Sequence, residues 1–83
     1  MSLVPIIMGS KADLPHGQAI AESLSAFGIA SELRVASAHK AARYLFDLLA
    51  AYEADPRPKV YITVAGRSNA LSGLVDANVR APV

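Results

Sequence analysis

The segment Ser37-Ala38-His39-Lys40 gathers a hydroxyl, an imidazole and an ammonium into four consecutive residues. An imidazole titrates near neutrality, so His39 can take up and release a proton. Ser37 can donate to a phosphate oxygen and Lys40 can neutralise it. The plainer reading of the same residues is a capping serine followed by a solvated basic pair. Gly9-Ser10-Lys11-Ala12-Asp13 places a glycine and a hydroxyl just ahead of an apolar periodic stretch. Free backbone N–H groups and the positive end of a helix favour an anion there. Ser10 adds a hydrogen bond, and Asp13 suits a sugar diol because a carboxylate accepts from two adjacent hydroxyls. Against that stands a simple turn with Asp13 as a helix cap; the spacing matches neither a P-loop nor a dinucleotide fingerprint. Gly66-Arg67-Ser68-Asn69-Ala70 offers backbone donors, a guanidinium and two polar side chains. It can hold a second anionic group such as a carboxylate, or it is an ordinary Ser/Asn cap beside an exposed arginine. His16, the only other histidine, falls in the first turn of a helix and reads as surface.

These segments need elements to position them. Leu3 to Met8 is a short continuous apolar run stopped by Gly9-Ser10, which suits a buried parallel strand. Pro5 donates no ladder hydrogen bond and fits only where no partner faces its nitrogen. Asp13-Leu14-Pro15 reads as a helix start, Ile20, Leu24 and Phe27 as its apolar stripe, and Gly28 as its stop. Ser31 to Ala36 alternates, with Leu33 and Val35 on one face and Glu32 and Arg34 on the other, as expected of a half-exposed edge strand. A second helix is predicted from about Ala41 to Ala54 with Leu45, Leu48, Leu49 and Tyr52 inside, Arg43 and Asp47 pairing across one turn, and Tyr44 and Tyr52 packing with wet tips. Asp55-Pro56-Arg57-Pro58 is a turn, Lys59 to Ala65 a third strand, and Leu71, Leu74 and Val75 the inner face of a short third helix. Pro82-Val83 reads as the opening of a fourth strand.

Strands and helices alternating in this way imply parallel strands with right-handed crossovers. An exposed second strand fits a flavodoxin-like three-layer α/β/α arrangement whose sheet order begins 2-1-3. In such sheets ligands bind beyond the carboxyl ends of the strands. All three polar segments follow a strand, so they are expected to meet on one rim.

Composition narrows the function classes. The 83 residues allow one domain, and 53% hydrophobic residues suffice for a core. A net charge of +1 speaks against a dedicated nucleic-acid or membrane surface. The lack of cysteine removes disulfides, thiolate catalysis and Cys-type zinc sites. No cluster of metal ligands stands out. The first apolar run has no basic segment before it, so it reads as a strand and not as a signal peptide.

Taken in order, Met8-Gly9-Ser10-Lys11-Ala12-Asp13, Ser37-Ala38-His39-Lys40 and Ala65-Gly66-Arg67-Ser68-Asn69-Ala70-Leu71-Ser72-Gly73 resemble the PurE family from about Val4 to Val83. The form Ala-Gly-Arg-Ser-Asn, with lysine after His39, is similar to the branch that carboxylates aminoimidazole ribonucleotide with free carbon dioxide. The other branch rearranges N5-carboxyaminoimidazole ribonucleotide and carries a histidine in a glycine- and alanine-rich third loop. The resemblance implies that Ser10 and Asp13 hold nucleotide phosphate and ribose. It implies phosphate contacts from Ser37 and Lys40 and proton transfer by His39. Ser68, Asn69 and Ala70 would receive carbon dioxide, with Arg67 as a further substrate contact. It implies no cofactor or metal, a cytoplasmic enzyme of purine synthesis, and a homo-octamer in the intact family with sites shared between subunits. Ala12 stands where the family usually has a second serine, so one polar contact to substrate is expected to be missing.

Family members run about as long again, with further strands, another substrate loop and a C-terminal helix. Residues 1–83 are therefore expected to be a single PurE-type domain cut at the start of its fourth strand, whose open sheet edge needs covering. Other readings are a nucleotide-binding module without turnover and a flavodoxin-like signalling domain. The latter lacks the expected aspartate at the end of the third strand, where Ala65 stands.

Overall fold

The computed structural model describes residues 2–37, 41–65 and 70–83. Strands β1 (Leu3–Met8), β2 (Ala30–Val35) and β3 (Ile62–Val64) alternate with helices α1 (Leu14–Ala26), α2 (Ala42–Ala54) and α3 (Ala70–Asn78). The sheet is parallel, in the order β2-β1-β3. Central β1 is buried along its whole length, which is why its sequence is continuously apolar. Leu3 and Ile7 join Leu45, Leu49, Tyr52, Tyr61, Leu71 and Val75 in the core beneath α2 and α3. The alternate face carries Met8 and Leu33 toward α1, where Gly17 is the only buried residue of that helix.

The close approach of α1 depends on that glycine. A Cβ on Gly17 would lie 2.5 Å from Met8 Sδ and 3.4 Å from Leu33 Cδ2. Gly28 ends the helix in the left-handed region with φ 75°. The Gly28 N–H donates to Ser25 O at 2.9 Å and the Ile29 N–H to Leu24 O at 2.9 Å, the paired bonds of a Schellman cap. The cap corrects one expectation: Phe27 is 81% exposed, because the chain leaves helical geometry there and no longer follows the inward stripe of Ile20 and Leu24.

Pro5 lies within the central strand, and its effect is visible in the partner. Leu3 and Gly9 both send their N–H groups toward the β3 side, to Pro58 O and Val64 O. Backbone direction alternates along a strand, so Pro5 faces the same side with no hydrogen to give. The pairing keeps one register throughout, Leu3 with Lys59 and Ile6 with Ile62, but lapses between them. The expected strand from Lys59 to Ala65 is thereby reduced to an isolated bridge and a short segment at 62–64. On the outer side of β3, Tyr61 N–H donates to Pro82 O at 2.8 Å, so the segment expected to open a fourth strand does lie along that edge.

Two tyrosines tie α2 to the sheet. Tyr52 OH donates to Glu32 Oε1 at 2.7 Å, and Tyr61 OH donates to Glu53 Oε2 at 2.8 Å. Burial, and then the carboxylate to which each hydroxyl donates, push both phenols above their ordinary range. Glu53 Oε1 also accepts the Arg80 N–H at 2.8 Å, and that bond foremost holds its carboxyl below the usual range. Tyr44 is half exposed, unlike Tyr52, so only one of the two is a packing residue. Arg43 and Asp47 do not pair; the ion pairs among the described residues are Arg34–Glu32 and Arg57–Asp55. The Arg57 guanidinium grips Asp55 with both carboxylate oxygens engaged and keeps that carboxyl well below the usual range.

Candidate functional site

The three strands finish at one level. Met8, the last residue of β1, is in register with Val35 and with Val64, the last residues of β2 and β3. Neighbouring strands lie roughly 4.8 Å apart, so the three chain exits fall within about 10 Å of one another. The first residues past the strands are tied together as well. Ala36 N–H donates to Met8 O at 2.8 Å, and Gly9 N–H donates to Val64 O at 2.9 Å. A Cβ on Gly9 would sit 3.9 Å from Leu71 Cδ2, which brings the base of the first loop against the first turn of α3.

Ser10 is exposed, with extended backbone (φ −157°), at the head of a single 3-10 turn over Lys11–Asp13. Its Oγ accepts the Ala12 N–H at 3.0 Å, so the serine is a cap. A hydroxyl that accepts one bond still has its proton to give, and capping leaves Ser10 competent to donate to a phosphate. Asp13 departs from its expected role as cap. It occupies the position before α1 but makes no side-chain cap bond, because the 3-10 turn has already occupied that stretch of backbone. Among the described residues the half-buried Asp13 carboxylate has no hydrogen-bond or ionic partner, which leaves both oxygens for a ligand. His16 is exposed on the first turn of α1, as expected.

The second loop begins at Ser37, half buried, and its far end is fixed by the Ala41 N–H donating to Ser37 O at 3.0 Å. Ala41 supplies no side-chain cap at the positive end of α2, which lies at this rim. Ala70 starts α3, half buried, at the same end of the sheet. The structure thus brings Ser10, Asp13, Ser37 and Ala70 to one rim. His39, Lys40, Arg67, Ser68 and Asn69 lie outside the described residues, and their flanking residues Ser37, Ala41, Ala65 and Ala70 belong to this rim.

A separate cavity of about 260 Å³, lined by Glu32, Arg34, Leu48, Tyr52, Asp55 and Arg57, opens between α2 and the edge of β2. Its two guanidiniums are already paired with carboxylates. The alternation of β2 suggested a solvated charged face. It did not reveal that Tyr52 covers that face, and only the complementarity of a buried phenol and a strand carboxylate could have suggested it. Among the described residues no helix is long and apolar enough to cross a membrane.

Residues 3–83 match the family model described as AIR carboxylase. The chain is 54% identical over 78 residues to a phosphoribosylaminoimidazole carboxylase of Treponema denticola, covering 94% of this chain and 49% of that protein. It is 51% identical over 78 residues to a protein of the same name from Archaeoglobus fulgidus, covering 94% of this chain and 42% of the relative. The crystal structure of Treponema denticola PurE superposes with a TM-score of 0.94 at 52% identity, over 96% of this chain and 51% of that one. The chain therefore spans about half the length of these relatives.

Proposed function

The chain belongs to the AIR carboxylase family, and on that premise we propose that it serves in the carboxylation of 5-aminoimidazole ribonucleotide by carbon dioxide. The observation that carries this reading is the common level of the strand ends, with Met8 in register with both Val35 and Val64. It puts the exits of three polar loops within reach of one small molecule. The name phosphoribosylaminoimidazole carboxylase borne by the relatives supports it.

In this reading Ser10, Ser37 and Lys40 hold the nucleotide phosphate and the unpartnered Asp13 carboxylate accepts from the ribose hydroxyls. Arg67 makes a further substrate contact, and Ser68, Asn69 and Ala70 form the seat for carbon dioxide. The amine lone pair of the substrate makes the neighbouring ring carbon nucleophilic. That carbon attacks carbon dioxide, a carbon–carbon bond forms, and one carbon–oxygen π pair becomes the new carboxylate. N–H donors at the start of α3 stabilise that charge. His39 then takes the proton from the tetrahedral ring carbon, the carbon–hydrogen pair returns to the ring, and aromaticity is restored. Carbon dioxide needs no prior activation if it is held close and dry. Residues 1–83 acting as a single domain, octameric assembly and a cytoplasmic setting belong to the same proposal.

The test is product formation from aminoimidazole ribonucleotide with bicarbonate, run beside N5-carboxyaminoimidazole ribonucleotide as substrate. Turnover of the first supports the reading. Turnover of the second alone makes the chain a mutase, and saturable binding without turnover makes it a nucleotide-binding module. His39→Asn is expected to abolish turnover and spare binding, and equal loss of both would remove the imidazole from its role.

A further inference from the structure

Among the described residues, the order β2-β1-β3 leaves β2 with one unpaired edge. Such an edge presents a row of free backbone groups to any extended chain. The direction of those groups follows from the ladder. Ala36 N–H points into the sheet, toward Met8 O. Alternation then turns Arg34 and Glu32 inward and turns Ser31, Leu33 and Val35 outward along the free edge. Leu33 O is the middle carbonyl of that edge, and it is not free: Arg34 Nη1 donates to it at 3.0 Å. The Arg34 side chain leaves the sheet on the α2 face, where it lines the cavity with Leu48 and Tyr52, and folds back over the rim of its own strand. Its other nitrogen, Nη2, donates to Glu32 Oε1 at 3.3 Å, and the same oxygen accepts from Tyr52 OH at 2.7 Å. A buried tyrosine of α2 thus fixes a carboxylate, the carboxylate fixes a guanidinium, and the guanidinium occupies the edge carbonyl.

We propose that Arg34 is an edge cap that keeps the free side of β2 from pairing with the same strand of a second copy of this chain. A second copy is the fitting partner. β2 supplies the outward Ser31, Leu33 and Val35 groups, and the same strand carries both members of the Glu32–Arg34 pair. Two edges placed side by side can therefore exchange these ion pairs between chains once the local one is broken. The cap sets a positive charge and an occupied acceptor at the middle of the free edge.

The proposal is tested by Arg34→Ala, with Tyr52→Phe as a second variant that loosens Glu32 without touching the edge. Sedimentation velocity is run over a concentration series, and hydrogen exchange is read at the Leu33 and Val35 amides. In the unaltered protein those amides are expected to exchange fast at every concentration. Arg34→Ala is expected to add a larger species at concentrations about five- to tenfold lower, the factor one hydrogen bond is worth. In that species the Leu33 and Val35 amides become protected. Tyr52→Phe is expected to shift the same way by a smaller factor. Unchanged sedimentation in both variants overturns the proposal. So does a larger species in which Leu33 and Val35 stay unprotected while β1 amides lose protection, since that is association through unfolding.

Discussion

Gly17 and Gly73 are both helical glycines, and replacing each with alanine should move stability in opposite directions. An alanine at an ordinary helix position gains about 1 kcal/mol over glycine. At Gly73 the new methyl meets nothing within 4 Å, so Gly73→Ala is expected to realise most of that gain. At Gly17 the methyl would stand 2.5 Å from Met8 Sδ, where ordinary contacts are roughly 3.5–4.0 Å. The sulfur must retreat by about 1 Å within a fully buried side chain, and overpacking of that kind costs about 1–3 kcal/mol. The net for Gly17→Ala is a loss of about 1 kcal/mol, and the two variants should differ by about 1–3 kcal/mol in total. Urea unfolding followed by circular dichroism measures this directly, with the slope m checked for constancy across the set. Two equal upward shifts in midpoint would rule out a tight contact at Gly17. They would mean that the contact of α1 with the end of β1 is loose enough to absorb a methyl, and that Gly17 does not set the height of α1 over the sheet.

Asp13→Asn should leave stability within about 0.5 kcal/mol, because the carboxylate holds nothing in the fold, yet weaken nucleotide binding at least about tenfold by calorimetric titration. Ser10→Ala should cost about 1 kcal/mol of stability as well as affinity, since the same oxygen caps the Ala12 N–H. Glu53, with its carboxyl lowered in the folded state, should add stability above the ordinary carboxylate range that disappears as pH falls through its folded value. The midpoint difference between the protein and Glu53→Gln should therefore shrink on acidification, and a difference that grows instead would contradict the assignment. Gly28→Ala forces a methyl into the left-handed region and should cost about 1 kcal/mol in thermal or urea unfolding.

The fold was legible wherever a residue acts through its own neighbours in sequence. The apolar run of β1, the Gly28 stop and the stripe of Leu45, Leu49 and Tyr52 all depend on local periodicity or on a turn that only glycine makes readily. The parts not legible depend on partners far along the chain. Pro5 shortens β3 through a hydrogen bond that Val60 never receives, and nothing near Val60 signals it. Phe27 kept the spacing of the helix stripe but stands on the cap, where that spacing no longer has meaning. Glu32 and Arg34 looked like a solvated face because the phenol that covers Glu32 comes from α2, 20 residues on. The candidate site was legible as three polar segments after three strands, since strand alternation alone predicts a shared rim. What the sequence could not assign was the division of labour on it. Ser10 takes the cap and Asp13 is left unspent, the reverse of the simplest reading of Asp13.

If one nucleotide is gripped by three strand-end loops at once, hydrogen exchange of the intact protein with and without aminoimidazole ribonucleotide will register all three. Protection is expected to rise together in residues 9–13, 36–41 and 65–71. Protection confined to one of these segments, or appearing instead around Glu32, Tyr52 and Arg57, would contradict it.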